Sequence, residues 1–185
     1  MYLRFETERL YINPTVTSDS DLIYQMMNSP KFKQFVGNRN IQTIEDATNY
    51  IKDRMLPQLR EFGYSNYSII RKSDKLKIGV CGLYNREGIE GIDIGFGILP
   101  DFEGNGYAFE AAQRLIRAAF EDFKINTIKA ITSKGNFASQ KILEKLEMTQ
   151  IGTMHIPNDN KEVYLYEIGK RDFKEFKTAI DNETF

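Results

Sequence analysis

Asp93-Ile94-Gly95-Phe96-Gly97-Ile98-Leu99-Pro100-Asp101-Phe102-Glu103-Gly104-Asn105-Gly106-Tyr107-Ala108-Phe109-Glu110-Ala111 reads as a strand, a tight turn and the start of a helix. The run of apolar residues and glycines stops at Pro100, and Gly104-Asn105-Gly106 turns the chain. Beyond the turn, apolar residues recur at Ala108, Ala111, Ala112, Leu115, Ala119 and Phe120. Glu110, Arg114, Arg117 and Glu121 fall on the opposite face, the period of an amphipathic helix of about four turns. The β-rich run Thr127-Ile128-Lys129-Ala130-Ile131 follows. Strand, helix and strand at this spacing form a crossover unit, which predicts that the two strands lie parallel.

Upstream, three strands are expected over Tyr67 to Arg71, Lys77 to Tyr84 and Ile89 to Leu99. Ser73-Asp74-Lys75 and Asn85-Arg86-Glu87-Gly88 join them as short polar turns, so they form an antiparallel meander. Leu10-Tyr11-Ile12 is a further short strand, ended by Asn13-Pro14. Ser18 with Asp21, and Thr43 with Asp46, have the spacing of capping boxes and open two helices. Pro57 ends or kinks the second. Downstream, Asn136 opens a helix carrying Ile142, Leu143 and Leu146, and strands near Gln150 to Ile156 and Glu162 to Ile168 close the fold. The expectation is an α+β (α/β mixed) fold, a mixed sheet of about seven strands flanked by about four helices. No repeat, linker or low-complexity tract interrupts it, so residues 1–185 read as a single domain.

The glycine turn carries the chemistry. Between a strand and a helix, consecutive backbone N–H groups can converge on an anion, aided by the positive end of the helix dipole. Glycines let the chain curl and let a ligand approach closely. The bland alternative is an ordinary turn. A P-loop would carry Lys and Ser/Thr where Tyr107 and Ala108 stand. A dinucleotide fingerprint needs a small residue at Phe109.

Composition narrows the field. Of 185 residues, 41% are hydrophobic and 28% charged, as in a globular protein with an ordinary core. Lys and Arg number 25 against 26 Asp and Glu, a formal net charge of −1, so no global field attracts nucleic acid or an anionic membrane. A single cysteine, Cys81, excludes an internal disulfide. With only one histidine, His155, a typical zinc site has no ligand set, and no metal is expected. Cys81 sits in the apolar run Ile78 to Leu83 and reads as a buried, inert thiol. His155 precedes Ile156-Pro157-Asn158-Asp159, a hairpin connection, and reads as a solvated loop histidine rather than a catalytic one. No stretch is long and apolar enough for a membrane span, and Met1-Tyr2-Leu3-Arg4-Phe5-Glu6 lacks the apolar region of a secretory signal, so a cytoplasmic location is expected.

The segment from Asp93 to Ala111 resembles the acetyl-CoA motif of the GNAT acetyltransferase superfamily. Asn136-Phe137-Ala138-Ser139, followed by Leu143 to Met148, resembles its second motif. The opening Thr7-Glu8-Arg9-Leu10 is similar to the start of the ribosomal-protein N-terminal acetyltransferase (RimJ/RimL-like) branch. The resemblance implies an N-acetyltransferase that moves an acetyl group from acetyl-CoA to a primary amine, on a protein N-terminus or a small molecule. The alternative is a GNAT-like domain that binds a CoA ester as a sensor or assembly module. Dimers are common in this branch, and no residue pattern decides for or against a homodimer.

Carried over, Ile98 and Leu99 would meet the pantetheine arm through backbone groups. The amides of Glu103, Gly104, Asn105, Gly106, Tyr107 and Ala108 would cradle the pyrophosphate. Gly95 and Gly97 suggest a bulge or the close approach of another backbone-like group, or simply mark a weak strand. Asp93 matches the strand carboxylate that serves as general base, or is a structural Asp. Near neutral pH a base there needs a raised pKa or a water relay. Ser139 is the candidate for hydrogen-bonding the leaving sulfur, or is a residue of its helix's first turn. Asn136 is a cofactor contact, an N-cap, or both. Two positions depart from the pattern: Asp101 stands where the family has Arg or Gln, and Leu143 where it has a tyrosine acid. The acceptor would lie between the amino-terminal helices (Ser18 to Leu59) and the last hairpin, segments that carry Tyr24, Tyr50, Arg54, Phe62, Tyr64 and Tyr164.

Overall fold

A computed structural model of the chain describes residues 2–156 and 161–173. These residues hold eight strands and six α-helices in two compact units. The first unit comprises the residues up to Tyr84 with Gly95–Leu115; the second comprises Asn85–Ile94 and the described residues from Ile116 onward.

In the first unit the strand order is β1 (Phe5–Glu6), β2 (Leu10–Pro14), β3 (Asn66–Arg71), β4 (Lys77–Asn85), β5 (Ile92–Ile98). The pairs β1/β2, β2/β3 and β3/β4 are antiparallel, with Ile12 opposite Ile69 and Tyr67 opposite Cys81. Inward residues Leu10, Ile12, Tyr67, Ile69, Ile78 and Leu83 are fully buried. Cys81 lies among them, and burial pushes its thiol far above the ordinary range, as an inert cysteine requires.

Helix α1 (Ser20–Asn28) starts differently from its sequence signal. The capping carboxylate is Asp19, which accepts the Val16 amide at 3.0 Å, rather than Asp21 opposite Ser18. Tertiary partners make that choice. Asp19 accepts from Ser68 Oγ at 2.9 Å and pairs with Lys77 at 2.6 Å, so it is the acid that the fold buries. The same buried chain of hydrogen bonds runs on through Thr15 and Asn66 to the Tyr84 hydroxyl.

A short helix α2 (Pro30–Phe35) follows, with Ser29 as N-cap and proline at its first position. Helix α3 (Ile44–Tyr50) has the expected box: Thr43 Oγ1 accepts from the Asp46 amide at 3.0 Å, and Asp46 Oδ2 accepts from the Thr43 amide at 2.8 Å. Pro57 neither ends nor breaks the helical run. A π turn at Ile51–Met55 widens the backbone, and Pro57 enters the first turn of α4 (Leu56–Phe62), where its missing N–H is harmless. Gly63, at φ +80°, stops α4.

Ile23 and Met27 of α1 pack with Ile41, Ala47, Ile51 and Met55. Leu22 and Met26 pack on Leu99, with Phe102 against the same cluster, and so fix the chain that leaves β5. A Cβ on Gly97 would lie 2.7 Å from Met26 Cε, the end of a flexible side chain that can shift.

In the second unit, the start of β5 pairs in parallel with β6 (Thr127–Ser133), Ile92 opposite Ile128 and Asp93 opposite Lys129. Strand β8 (Glu162–Gly169) runs antiparallel to β6, and β7 (Thr149–His155) runs antiparallel to β8 at the edge. Helix α6 (Phe137–Lys145) joins β6 to β7. Helix α5 (Tyr107–Glu121) provides the crossover, with Ala111, Ala112, Leu115, Ala119 and Phe120 buried as the sequence period requires. His155 is an exposed terminal residue of β7, paired with Glu162, and the connection expected at Ile156-Pro157-Asn158-Asp159 lies, from 157 on, outside the described residues.

A Cβ at Gly79 would fall 2.3 Å from the Gly97 carbonyl oxygen, a backbone atom that cannot swing away. Gly79→Ala is expected to cost about 3 kcal/mol of stability in urea unfolding, the range of an overpacked core position. A loss below about 0.5 kcal/mol, the usual surface value, would show that β4 and β5 yield freely there.

Candidate active site

The loop that leaves β5 is built to keep its amides unspent. Gly104 and Gly106 have φ +76° and +80°, a left-handed conformation that other residues adopt at a cost. No atom lies within 4 Å of a Cβ placed on Gly104. The loop residues Gly104, Asn105 and Gly106 are exposed, and the first turn of α5 is half-buried. Among the described residues, the amides of Gly104, Asn105, Gly106, Tyr107 and Ala108 have no hydrogen-bond partner. The N-terminal end of the α5 dipole adds positive potential. The Glu103 amide, by contrast, donates to the Pro100 carbonyl at 3.3 Å. Asn105 folds its side chain under the loop, donating from Nδ2 to the carbonyls of Phe102 (3.1 Å) and Glu103 (2.9 Å). Glu103 pairs with Lys31.

The end of β5 divides the two residues expected to offer main-chain groups. Leu99 donates its N–H to Ile78 O at 2.8 Å, and its carbonyl accepts from Phe102 N at 2.9 Å, so both groups are engaged. The alternation of a strand turns the backbone groups of Ile98 to the opposite edge. Gly95, Phe96, Gly97 and Ile98 are all half-buried.

In the second unit Asp93 is 1% exposed, and Arg86 grips both of its oxygens, Nε to Oδ1 at 3.2 Å and Nη2 to Oδ2 at 3.1 Å. Burial, the larger effect, pushes the carboxyl above its ordinary value, and the Arg86 charge pulls it part of the way back. Asn136 caps α6, its Oδ1 accepting from the Ser139 amide at 3.2 Å. The Ser139 hydroxyl has no partner among the described residues. Leu143 is 1% exposed, so the position seven after Asn136 belongs to the core. Arg86 and Arg9 were missed in the sequence. Arg86 sits in what reads as a turn, and Arg9 lies almost a hundred residues from the loop it touches.

The family model for the acetyltransferase (GNAT) domain matches residues 9–149. The chain belongs to the GNAT acetyltransferase family. The uncharacterized N-acetyltransferase p20 of Bacillus licheniformis is 28% identical over 173 residues, 90% of this chain and 96% of its own. A GNAT-family acetyltransferase from Bacillus anthracis has the same fold, with TM-score 0.77 at 24% identity, covering 91% of this chain and 99% of its own. So does RimL, a ribosomal L7/L12 alpha-N-protein acetyltransferase solved in complex with coenzyme A, with TM-score 0.78 at 17% identity, over 92% and 99%. This GNAT protein is an acetyl-CoA-dependent acetyltransferase.

Arg86→Met tests the pairing of Asp93. Leaving a buried carboxylate alone is expected to cost about 3 kcal/mol in urea unfolding at pH 8. Because the folded pKa of Asp93 lies above its unfolded value, its ionisation costs stability as pH rises, and protonation relieves the cost. The loss should therefore be smaller at pH 5, and an equal loss at both pH values would mean that Arg86 matters through packing.

Proposed function

We propose that this acetyltransferase moves the acetyl group of acetyl-CoA to a primary amine, on a protein N-terminus or a small molecule, by direct attack of the amine on the thioester. The observation that carries this reading is the exposed Gly104-Asn105-Gly106 loop, with its two left-handed glycines and five unspent amides. A diphosphate is the group that such a cradle fits: it accepts several N–H bonds at once and favours the positive end of a helix. Acetyl-CoA supplies the activated acyl group, and the chain supplies position and proton transfer.

On this reading Gly104, Asn105, Gly106, Tyr107 and Ala108 hold the diphosphate through their amides, and Ile98, rather than Leu99, offers the main chain to the pantetheine arm. Asp93 takes the proton that the ammonium must lose, through water, since it is too buried to meet the amine directly. Its raised pKa suits that task. Ser139 offers its hydroxyl to the departing sulfur, and Asn136 holds the turn that presents it.

A second reading, a catalytically weak acetyltransferase that serves chiefly as a CoA-ester-binding sensor or assembly module, draws on two observations. Leu143 leaves the tyrosine position in the core, and Arg86 occupies both oxygens of Asp93. Release of free thiol from acetyl-CoA, screened over amines and peptide N-termini, separates the two. Steady release with an acceptor supports acetyl transfer as the main role, and only slow release with every acceptor supports the sensor.

Gly106→Val should raise the dissociation constant for acetyl-CoA by at least about tenfold in calorimetry, because a β-branched residue is strained at φ +80° and would open the cradle. Unchanged affinity would contradict the loop assignment. For Asp93→Asn, turnover should fall by about a hundredfold with affinity for acetyl-CoA kept. The wild-type rate should climb as pH rises through the raised Asp93 value, because only the ionised carboxylate accepts the proton. Persistence of that limb in Asp93→Asn would remove Asp93 from the mechanism.

A further inference from the structure

The Thr7-Glu8-Arg9-Leu10 motif has no place in the chemistry above, yet it reaches the loop. We propose that Arg9, anchored on Glu110, is a positioning residue that holds the Gly104-Asn105-Gly106 loop in its diphosphate-binding conformation, a role that rests on the reading just given. The guanidinium touches three parts of one structure. Nη1 donates to the Asn105 carbonyl at 3.0 Å, Nε and Nη2 grip Glu110 Oε2 at 2.7 and 2.6 Å, and Cζ lies 4.6 Å from the centre of the Tyr107 ring. Glu110 stands in the first turn of α5. Its other oxygen accepts from Thr7 Oγ1 at 2.5 Å and from the Arg9 amide at 3.0 Å. Burial pushes the Glu110 carboxyl up, but the hydrogen bonds from Thr7 and Arg9 together outweigh it and keep the group below its ordinary value, hence ionised.

The contact with Asn105 aims the loop. In a trans peptide the carbonyl of one residue and the N–H of the next point in opposite directions. Fixing Asn105 O toward Arg9 therefore turns the Gly106 N–H away from Arg9, to the exposed side. Without that tie, a segment with two glycines has many conformations to lose when it binds a ligand. The anchor is itself rigid: Thr7 Oγ1 accepts from Leu10 N at 3.1 Å, Lys72 Nζ donates to Thr7 O at 2.6 Å, and Lys72 N donates to Arg9 O at 2.8 Å. Arg9 also covers the charge of Glu110, a carboxylate that would otherwise repel an anion at the helix entrance. The planar fork is needed because a lysine ammonium cannot reach carbonyl and carboxylate in fixed geometry. Arg9 keeps 45% of its side chain exposed, so its loss leaves the core intact.

Calorimetry with two probes tests this: acetyl-CoA, and acetyl-pantetheine, which has the same thioester arm without diphosphate or nucleotide. Arg9→Ala should weaken acetyl-CoA by about tenfold, the worth of a charged hydrogen bond, and leave acetyl-pantetheine unchanged. Arg9→Lys should fall between Ala and wild type. Glu110→Gln should also weaken acetyl-CoA, although it removes a negative charge near an anion; tighter binding would overturn the positioning role in favour of simple charge. If Gly106→Val weakens acetyl-CoA while Arg9→Ala and Arg9→Lys bind as wild type does, the proposal falls and the diphosphate reading stands. If wild type binds acetyl-CoA no better than acetyl-pantetheine, both fall.

Discussion

Two residues held at positive φ, Gly104 and Gly106, are the constraint from which the proposed binding function follows. A side chain there costs about 1–2 kcal/mol per position, because Cβ crowds the following carbonyl. Glycine removes that cost, and the curl it permits leaves the amides at the head of α5 without a neighbouring carbonyl to bond. The helix behind them contributes its dipole, worth about 0.3–1 kcal/mol to an exposed anion and more in a partly closed site. Neither effect requires a basic side chain in the loop. That is why Asp101, which brings no positive charge to the loop, is compatible with the proposed assignment.

The remaining structure of the first unit holds this loop in place. Leu22 and Met26 pin Leu99, with Phe102 against the same cluster, from the α1 side. Asn105 braces the turn from within, and Arg9 reaches it from the segment before β2. These contacts join parts of the sequence almost a hundred residues apart, so the loop's shape depends on the tertiary fold more than on its own composition. The second unit isolates a different problem, a carboxylate buried with its guanidinium. Such a pair contributes little net stability against an apolar replacement, yet losing one partner is expensive. Its presence on β5 is easier to understand if the proton affinity of Asp93 is used.

The sequence was most legible where local chemistry and tertiary demand agree. The Thr43/Asp46 box, the amphipathic period of α5 and the parallel crossover from β5 to β6 all match the structure. It was least legible where a distant partner decides. Asp19 caps in place of Asp21 because Ser68 and Lys77 bury it. The run through Pro57 survives because a π turn absorbs the proline. The two-residue strand β1 has no periodicity to read, and α2 announces itself only by Ser29-Pro30. At the site, the glycine loop was readable from spacing. The engagement of Leu99, the Arg86 pairing of Asp93 and the reach of Arg9 were not, since each depends on a backbone direction or a contact that no single stretch encodes.

The most direct measurement is the backbone amide spectrum of the isotope-labelled protein, titrated with coenzyme A and, separately, with pantetheine. If main-chain donors grip the diphosphate, the Gly104, Asn105, Gly106, Tyr107 and Ala108 amides shift strongly with coenzyme A and hardly with pantetheine. Saturation by coenzyme A with those five amides unmoved would contradict the account.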